Sequence, residues 1–226
     1  MRPISLTRGD ALLIVDVQND FLPCGNLAVP NGDEVLAPIK LLIGLYRDHG
    51  LPVYASRDWH PPEHCSFAAQ GGPWPPHCVA HTRGAAFPDA LALPPDAVVI
   101  SKATSRGADA YSAFRDTGLA AQLRAHGAER LAVCGLATDY CVLNTVNDAL
   151  ALGFQVLLVE DAVRAVDAAP GGDGERALAL MTANGAVLVR TRPPTLLNEA
   201  SLIEAGASAP PPGAGARPAR LLDPRP

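Results

Sequence analysis

Six short apolar runs, spaced along the chain by segments of helical periodicity, constrain the fold more than any other feature. Residues 11–15, 52–56, 97–101, 131–134, 155–159 and 187–190 read as strands, several of them continuously apolar, as in a parallel sheet buried on both faces. Between them, residues 31–49 place apolar side chains at 35, 36, 39, 42, 43 and 46, with Asn31 or Asp33 as candidate caps and Gly50 beyond the end. Further helices are expected over 117–126, closed by Gly127, from Cys141 to Gly153, and over 175–184, closed by Gly185. Strands that alternate with helices predict an α/β fold of three layers, a six-stranded, mostly parallel sheet flanked by helices. The 226 residues suffice for one such domain, expected over 1–204 with a short helix near 196–204. Residues 205–226 are rich in Pro, Ala and Gly with little to bury, so a disordered tail is expected there.

Charge and cysteine usage exclude several classes of function. The chain has 18 basic and 23 acidic residues and no basic cluster interleaved with aromatics, which argues against nucleic acid and anionic membrane as partners. No apolar run approaches the roughly 20 residues of a membrane span, and the N-terminus has no apolar signal core, so a cytoplasmic protein is expected. Five cysteines, at 24, 65, 78, 134 and 141, are an odd number without a C-x-x-C pair, which fits reduced thiols.

In an open parallel sheet, ligands bind in the crevice beyond the carboxyl ends of the strands. Here those ends supply Asp16, Asp58 with His60, Lys102 and Cys141. Cys141 follows a strand and Gly135 and opens a helix, where unpaired N–H groups and the positive dipole end favour thiolate. By itself each residue has a plainer role: cysteine as a small core side chain, aspartate as a turn cap, lysine as a solvated strand end. Together a carboxylate, an ammonium and a thiol form a nucleophile with its base and a fixed positive charge. The pattern of strands breaks from about residue 57 to 96, a proline-rich excursion carrying His64, Trp74, His77 and His81. Loops of this length in a compact domain are usually functional or disordered. Asp58 and His60, two apart on an extended segment, point to one side, and a loop histidine would complete a face for zinc, iron or manganese. Spacing leaves open whether these histidines hold a metal or brace the loop.

The segments Asp16-Val-Gln-Asn-Asp-Phe21, Arg57-Asp-Trp-His-Pro61, Trp74-Pro-Pro-His-Cys78, Lys102, Tyr111-Ser-Ala-Phe114 and Gly135-Leu-Ala-Thr-Asp-Tyr-Cys-Val142 together resemble the nicotinamidase/pyrazinamidase branch of the isochorismatase-like cysteine hydrolases, over roughly residues 8–192. The resemblance implies an amidohydrolase that converts nicotinamide to nicotinate and ammonia, and pyrazinamide likewise, in NAD salvage. It implies Asp16, Lys102 and Cys141 as catalytic residues. Asp58, His60 and His77 would be ligands of one divalent metal, zinc foremost with iron or manganese as alternatives, and His64 is a further ligand in some members. It also implies an oxyanion hole from the N–H groups of Ala137 and Cys141 with a cis peptide at Leu136-Ala137, and a ring pocket lined by Phe21, Trp74 and Tyr111. Cys24 and Ala103 stand where many relatives have glycine. Monomers, dimers and larger assemblies all occur in the family, so a homo-oligomer is open. Three readings compete: a carbamoyl or ureido amidase with the same Asp, Lys and Cys, a non-catalytic binding protein on this fold, and a thiol redox or metal-handling protein.

Overall fold

A computed structural model of the chain describes residues 4–168, 172–191 and, for the backbone, 203–205. Its elements in order are β1 (Asp10–Val15), α1 (Leu36–Asp48), β2 (Val53–Asp58), β3 (Val98–Lys102), α2 (Leu119–Ala125), β4 (Arg130–Leu136), α3 (Leu143–Ala151), β5 (Gln155–Arg164), α4 (Asp173–Ala183), β6 (Val187–Thr191) and β7 (Ile203–Ala205). The sheet order is β3-β2-β1-β4-β5-β6-β7, with every pair parallel except β6·β7. The expected three-layer fold is present, with an antiparallel seventh strand added at one edge. That strand corrects the helix expected near 196–204: residues 203–205 pair with β6, while 196–202 lie outside the described residues, as do 206–226 of the expected tail.

Alternation along β1 divides the core. Leu12 and Ile14 pack towards Ile39, Leu42 and Tyr46 of α1, whereas Ala11, Leu13 and Val15 pack towards Leu119 and Leu123 of α2, Val146 of α3 and Met181 of α4. Because β1 is central it is buried on both faces, which is why its sequence is a continuous apolar run. Pro38 is the third residue of α1, where its missing N–H would have had no intrahelical partner. All four helices end at a glycine in the left-handed region, Gly50, Gly127, Gly153 and Gly185. After α1, for example, Gly50 N–H donates to Arg47 O and Leu51 N–H to Tyr46 O, the pattern that stops a helix and turns the chain into the next strand.

Two expectations near the carboxyl edge are corrected. β5 does not stop at Val159 but runs to Arg164, with a register shift against β4 between Val133 and Gly135. Glu160 and Asp161 sit in that irregular stretch and bind β6, Glu160 to Arg190 and Asp161 to the N–H of Thr191, so they are not crevice residues. Cys141 does not open α3; it lies within a π-helical turn, Thr138–Val142, that precedes it. Such turns are frequent at functional sites.

Candidate active site

The crevice at the carboxyl ends of β1, β2, β3 and β4 gathers the predicted catalytic groups around one ammonium. Lys102 is 1% exposed at the last position of β3. Its Nζ lies 2.9 Å from Asp16 Oδ2, donates to Asp58 Oδ1 at 2.5 Å and to Ala110 O at 2.9 Å, and reaches Cys141 Sγ at 3.6 Å. Polar atoms of Asp16, Asp58 and Cys141 all lie within 4.8 Å of one another.

β1 and β4 meet closely just below these groups. A Cβ on Gly135, whose φ is +117°, would overlap the backbone of Val15, so glycine lets the two strand ends approach while the chain turns into the cysteine segment. The Leu136-Ala137 peptide is cis, as the resemblance implies. Ala137 O accepts the N–H groups of Tyr140 and Val142.

Burial sets the protonation of the group. It raises Asp16 above the usual carboxylate range, although Lys102 pulls the other way. Burial also opposes the charge on Asp58, but Lys102 and then His60 outweigh it and hold this carboxyl low. Lys102 would lose its proton to burial were it not for Asp16 and Asp58, which keep it charged. The Cys141 thiol is pushed well above its ordinary value, by burial first and by the two carboxylates, against the pull of Lys102. Burial thus works against the thiolate expected from a helix N-terminus and gives a base a part in taking the proton as sulfur attacks.

The metal ligands that the sequence suggested also converge. One ligand atom from each of Asp58, His60 and His77 lies within 4.8 Å of the others, and all three residues are buried. His60 Nδ1 faces Ala103 O at 3.2 Å and His77 Nδ1 faces Pro75 O at 2.8 Å. A ring nitrogen facing a carbonyl must carry the hydrogen, so each imidazole in its neutral form keeps Nε2 as a lone pair. Burial pulls His60 down, but Asp58 more than offsets it and holds His60 above its ordinary value. His60 Nε2 has no hydrogen-bond partner and lies 3.7 Å from Asp58 Oδ2. Burial holds His77 low, which favours the neutral, ligating form. A carboxylate and two imidazoles with free Nε2 atoms fit a divalent metal of the zinc class. His64 stacks on His60 with ring centroids 4.1 Å apart, but its Nδ1 bonds Ser66 Oγ and its Nε2 bonds Ala108 O. Here it braces the loop and does not point into the group.

Of the buried side-chain polar atoms among the described residues, three lack a hydrogen bond, and Asp16 Oδ2 and His60 Nε2 are two of them. Between the two groups opens a narrow cavity of about 60 Å³, lined by Phe21, Trp74, Tyr111 and Tyr140 and floored by Asp58, His77, Ala137 and Cys141. Trp74 Nε1 donates to Tyr111 OH, and Tyr140 meets Trp74 edge-on at 5.3 Å. A wider groove of about 970 Å³ lies by Arg8, Arg47, Asp96 and His126, but none of the reacting groups lines it.

Sequence reasoning missed two contributors. Tyr140 lines the cavity from the position before Cys141. Ser56 is fully buried and its hydroxyl donates to Asp16 Oδ1 at 2.6 Å. The signal for Ser56 was period two, because 56, 58 and 60 share one side of the strand and its extension.

Comparison with known proteins gives the chain a family. A family model described as Isochorismatase domain matches residues 10–193. The nicotinamidase of Escherichia coli is 42% identical over 199 residues, covering 79% of this chain and 93% of that protein. A pyrazinamidase of Pyrococcus horikoshii in complex with zinc superposes with a TM-score of 0.77 at 47% identity, over 80% of this chain and 99% of that one. PnC1 of L. infantum in complex with nicotinate gives 0.77 at 38% identity, over 84% and 96%. With a matching domain over most of its length and the family's sheet and cysteine crevice in place, the chain belongs to the isochorismatase family.

Proposed function

We propose that this protein is a nicotinamidase that hydrolyses nicotinamide, and pyrazinamide with it, to the acid and ammonia through a thioester on Cys141, a reaction that serves NAD salvage. The observation that carries the reading is Lys102 seated between Asp16, Asp58 and Cys141, with Asp58 shared by the His60/His77 group at the floor of an aromatic cavity. Asp58 is the joint: one oxygen meets the ammonium and the other faces the imidazole.

Asp16 takes the thiol proton through Oδ2, the oxygen that Ser56 leaves free and that faces the Lys102 ammonium at 2.9 Å. Sulfur attacks the carboxamide carbon, and the oxyanion is held by the N–H groups of Ala137 and Cys141. The tetrahedral species collapses, the C–N bond breaks, and Asp16 returns the proton to the departing ammonia. Water then attacks the thioester and gives a proton to Asp16. Nicotinate leaves as the C–S bond breaks, and Asp16 reprotonates the sulfur. Lys102 stays charged throughout and keeps the two carboxylates together. Asp58, His60 and His77 would hold a divalent metal, zinc first, which when bound supplies a Lewis-acid point for the ring nitrogen of the substrate. Phe21, Trp74, Tyr111 and Tyr140 enclose the flat ring.

The test is ammonia release from nicotinamide by metal-replete protein beside the Cys141→Ala variant. Release that vanishes in the variant supports the reading. A wild type inactive on nicotinamide but active on a carbamoyl or ureido substrate would replace the substrate and leave the nucleophile.

A further inference from the structure

The turn after β1 supplies Asp16 to the reacting groups, but two later residues in it, Gln18 and Asp20, are just as deeply buried and take no part in the chemistry derived above. Their bonds go to the two segments that carry the histidines. Gln18 Nε2 donates to Asp58 O at 2.8 Å and to Ala85 O at 2.9 Å, and Gln18 Oε1 accepts the Asp58 N–H at 2.8 Å. Asp20 Oδ2 accepts the N–H of Cys78 at 2.7 Å, its Oδ1 accepts the N–H of Asn26 at 3.1 Å, and its own N–H donates to Gly84 O at 3.0 Å.

Asp20 forms no ion pair with a lysine or arginine among the described residues. Its two carboxylate oxygens accept backbone N–H groups instead, so what Asp20 does is hold those peptides in place. It holds the peptide next to His77. Cys78 has a φ of +46°, a conformation rare for a side-chain-bearing residue, which turns its N–H to Asp20. The Cys78 carbonyl accepts the His60 N–H at 3.0 Å. One residue thus joins the two histidine segments, and Asp20 fixes it from below.

We propose that this turn is a clasp for the metal site, in which Asp20 is a positioning residue that sets His77 against His60 and Asp58 through the Cys78 N–H, while Gln18 fixes the Asp58 backbone. The inference rests on the reading of Asp58, His60 and His77 as metal ligands. Partners beyond the ligands typically govern metal affinity by about 10–100-fold, and that is the loss expected when the Asp20 contact is broken.

The contact can be broken in two ways. Asp20→Asn keeps the size but puts an NH2 group where one of the two N–H donors needs an acceptor. Gly84→Ala leaves Asp20 in place but adds a Cβ that would overlap its carboxylate. Asp10→Asn is the control, a fully buried aspartate at the opposite end of β1 bound to Arg130. Full-length protein stripped of metal is titrated with Co(II), whose visible absorption reports coordination, in competition with a chelator, and thermal unfolding is followed in parallel. D20N and G84A should bind Co(II) about 10–100-fold more weakly with an altered spectrum, whereas D10N should lose stability and keep wild-type affinity. Folded D20N with wild-type Co(II) affinity and spectrum overturns the clasp. If D20N does not fold, G84A decides in the same way. A wild type that takes up no Co(II) removes the metal-site reading and the clasp with it, whereas tight wild-type binding left unchanged in the variants removes the clasp alone.

Discussion

An aspartate stands at each end of β1, Asp10 as its first residue and Asp16 just past Val15; both are fully buried, and the two are built on opposite principles. At the amino end, Asp10 accepts from Arg130 Nε at 2.5 Å and Nη2 at 2.8 Å, and from the N–H and hydroxyl of Thr7 at 2.6 and 2.9 Å. Charge is matched one to one, and each oxygen has a donor. At the carboxyl end, one ammonium is shared by two carboxylates and a thiol, so that Asp16 Oδ2 has only that shared ammonium at 2.9 Å, and the adjoining His60 Nε2 goes without a hydrogen bond. A buried carboxylate whose bonds are complete has nothing left to offer a ligand. One whose bonds are incomplete is held where a proton, a cation or a substrate can complete them. The same residue type, at the two ends of one strand, is thus saturated at one end and left able to take a further partner at the other.

The largest expected effect isolates the reactive end. Cys141→Ala should lower ammonia release from nicotinamide by about 10⁴-fold or more while leaving the unfolding midpoint within a few degrees of wild type. A variant that keeps even a hundredth of the activity would mean that another group, or water alone, attacks the amide.

Next, the two aspartates should trade effects. Asp10→Asn removes an acceptor from a partly buried guanidinium, and urea unfolding should show a loss of about 2–4 kcal/mol with kcat per folded molecule unchanged. Asp16→Asn should abolish turnover without a comparable loss of stability. Burial raises the Asp16 carboxyl above its unfolded value, so its ionised form at neutral pH opposes folding, and the neutral amide relieves that opposition. If both variants lose stability equally, the contrast between the ends of β1 fails. A third measurement extends the contrast to the ligand. Benzamide, which has the carboxamide but no ring nitrogen, should turn over about 100-fold more slowly than nicotinamide or worse, because the positions at Asp58, His60 and His77 would go unused. Equal rates would remove that group from substrate recognition.

The sequence made the sheet legible because strands buried on both faces are continuous apolar runs and each helix ends in a glycine that its closing turn requires. It also located Asp16, Asp58, Lys102 and Cys141 at strand ends, since a parallel sheet puts those ends on one edge. What it could not show was pairing. The run 155–159 did not show that β5 continues through Glu160 and Asp161, which bind β6 beside the register shift. Cys141 looked like a helix-start thiolate, but a one-dimensional pattern carries no information on burial, which pushes this thiol up against the pull of Lys102. His64 has the spacing of a ligand, yet Ser66 and Ala108 occupy its nitrogens. Asp10 and Ser56 drew no notice because a polar residue in a strand reads as an imperfection until its partner, 120 residues away for Asp10 and 40 for Ser56, is known.

The smallest expected effect concerns backbone near the reactive end. Asp16, Cys78 and Ala103 all have φ between 46° and 51°, and Cys24, in the turn beyond the first motif, has 71°. Left-handed backbone at a residue with a Cβ costs about 1–2 kcal/mol, and glycine avoids this while giving back about half of it through a more flexible unfolded chain. Cys24 is exposed and does not line the aromatic cavity, so Cys24→Gly should stabilise the protein by up to about 1 kcal/mol with activity unchanged. Ala103 is buried and its carbonyl receives His60 Nδ1, so strain there is coupled to ring orientation. Ala103→Gly should therefore gain no more stability than Cys24→Gly and should weaken metal binding, measured by chelator competition, where Cys24→Gly does not. Identical behaviour of the two variants would mean that left-handed backbone beside this site is ordinary turn geometry; a split confined to metal affinity would tie it to holding the histidine.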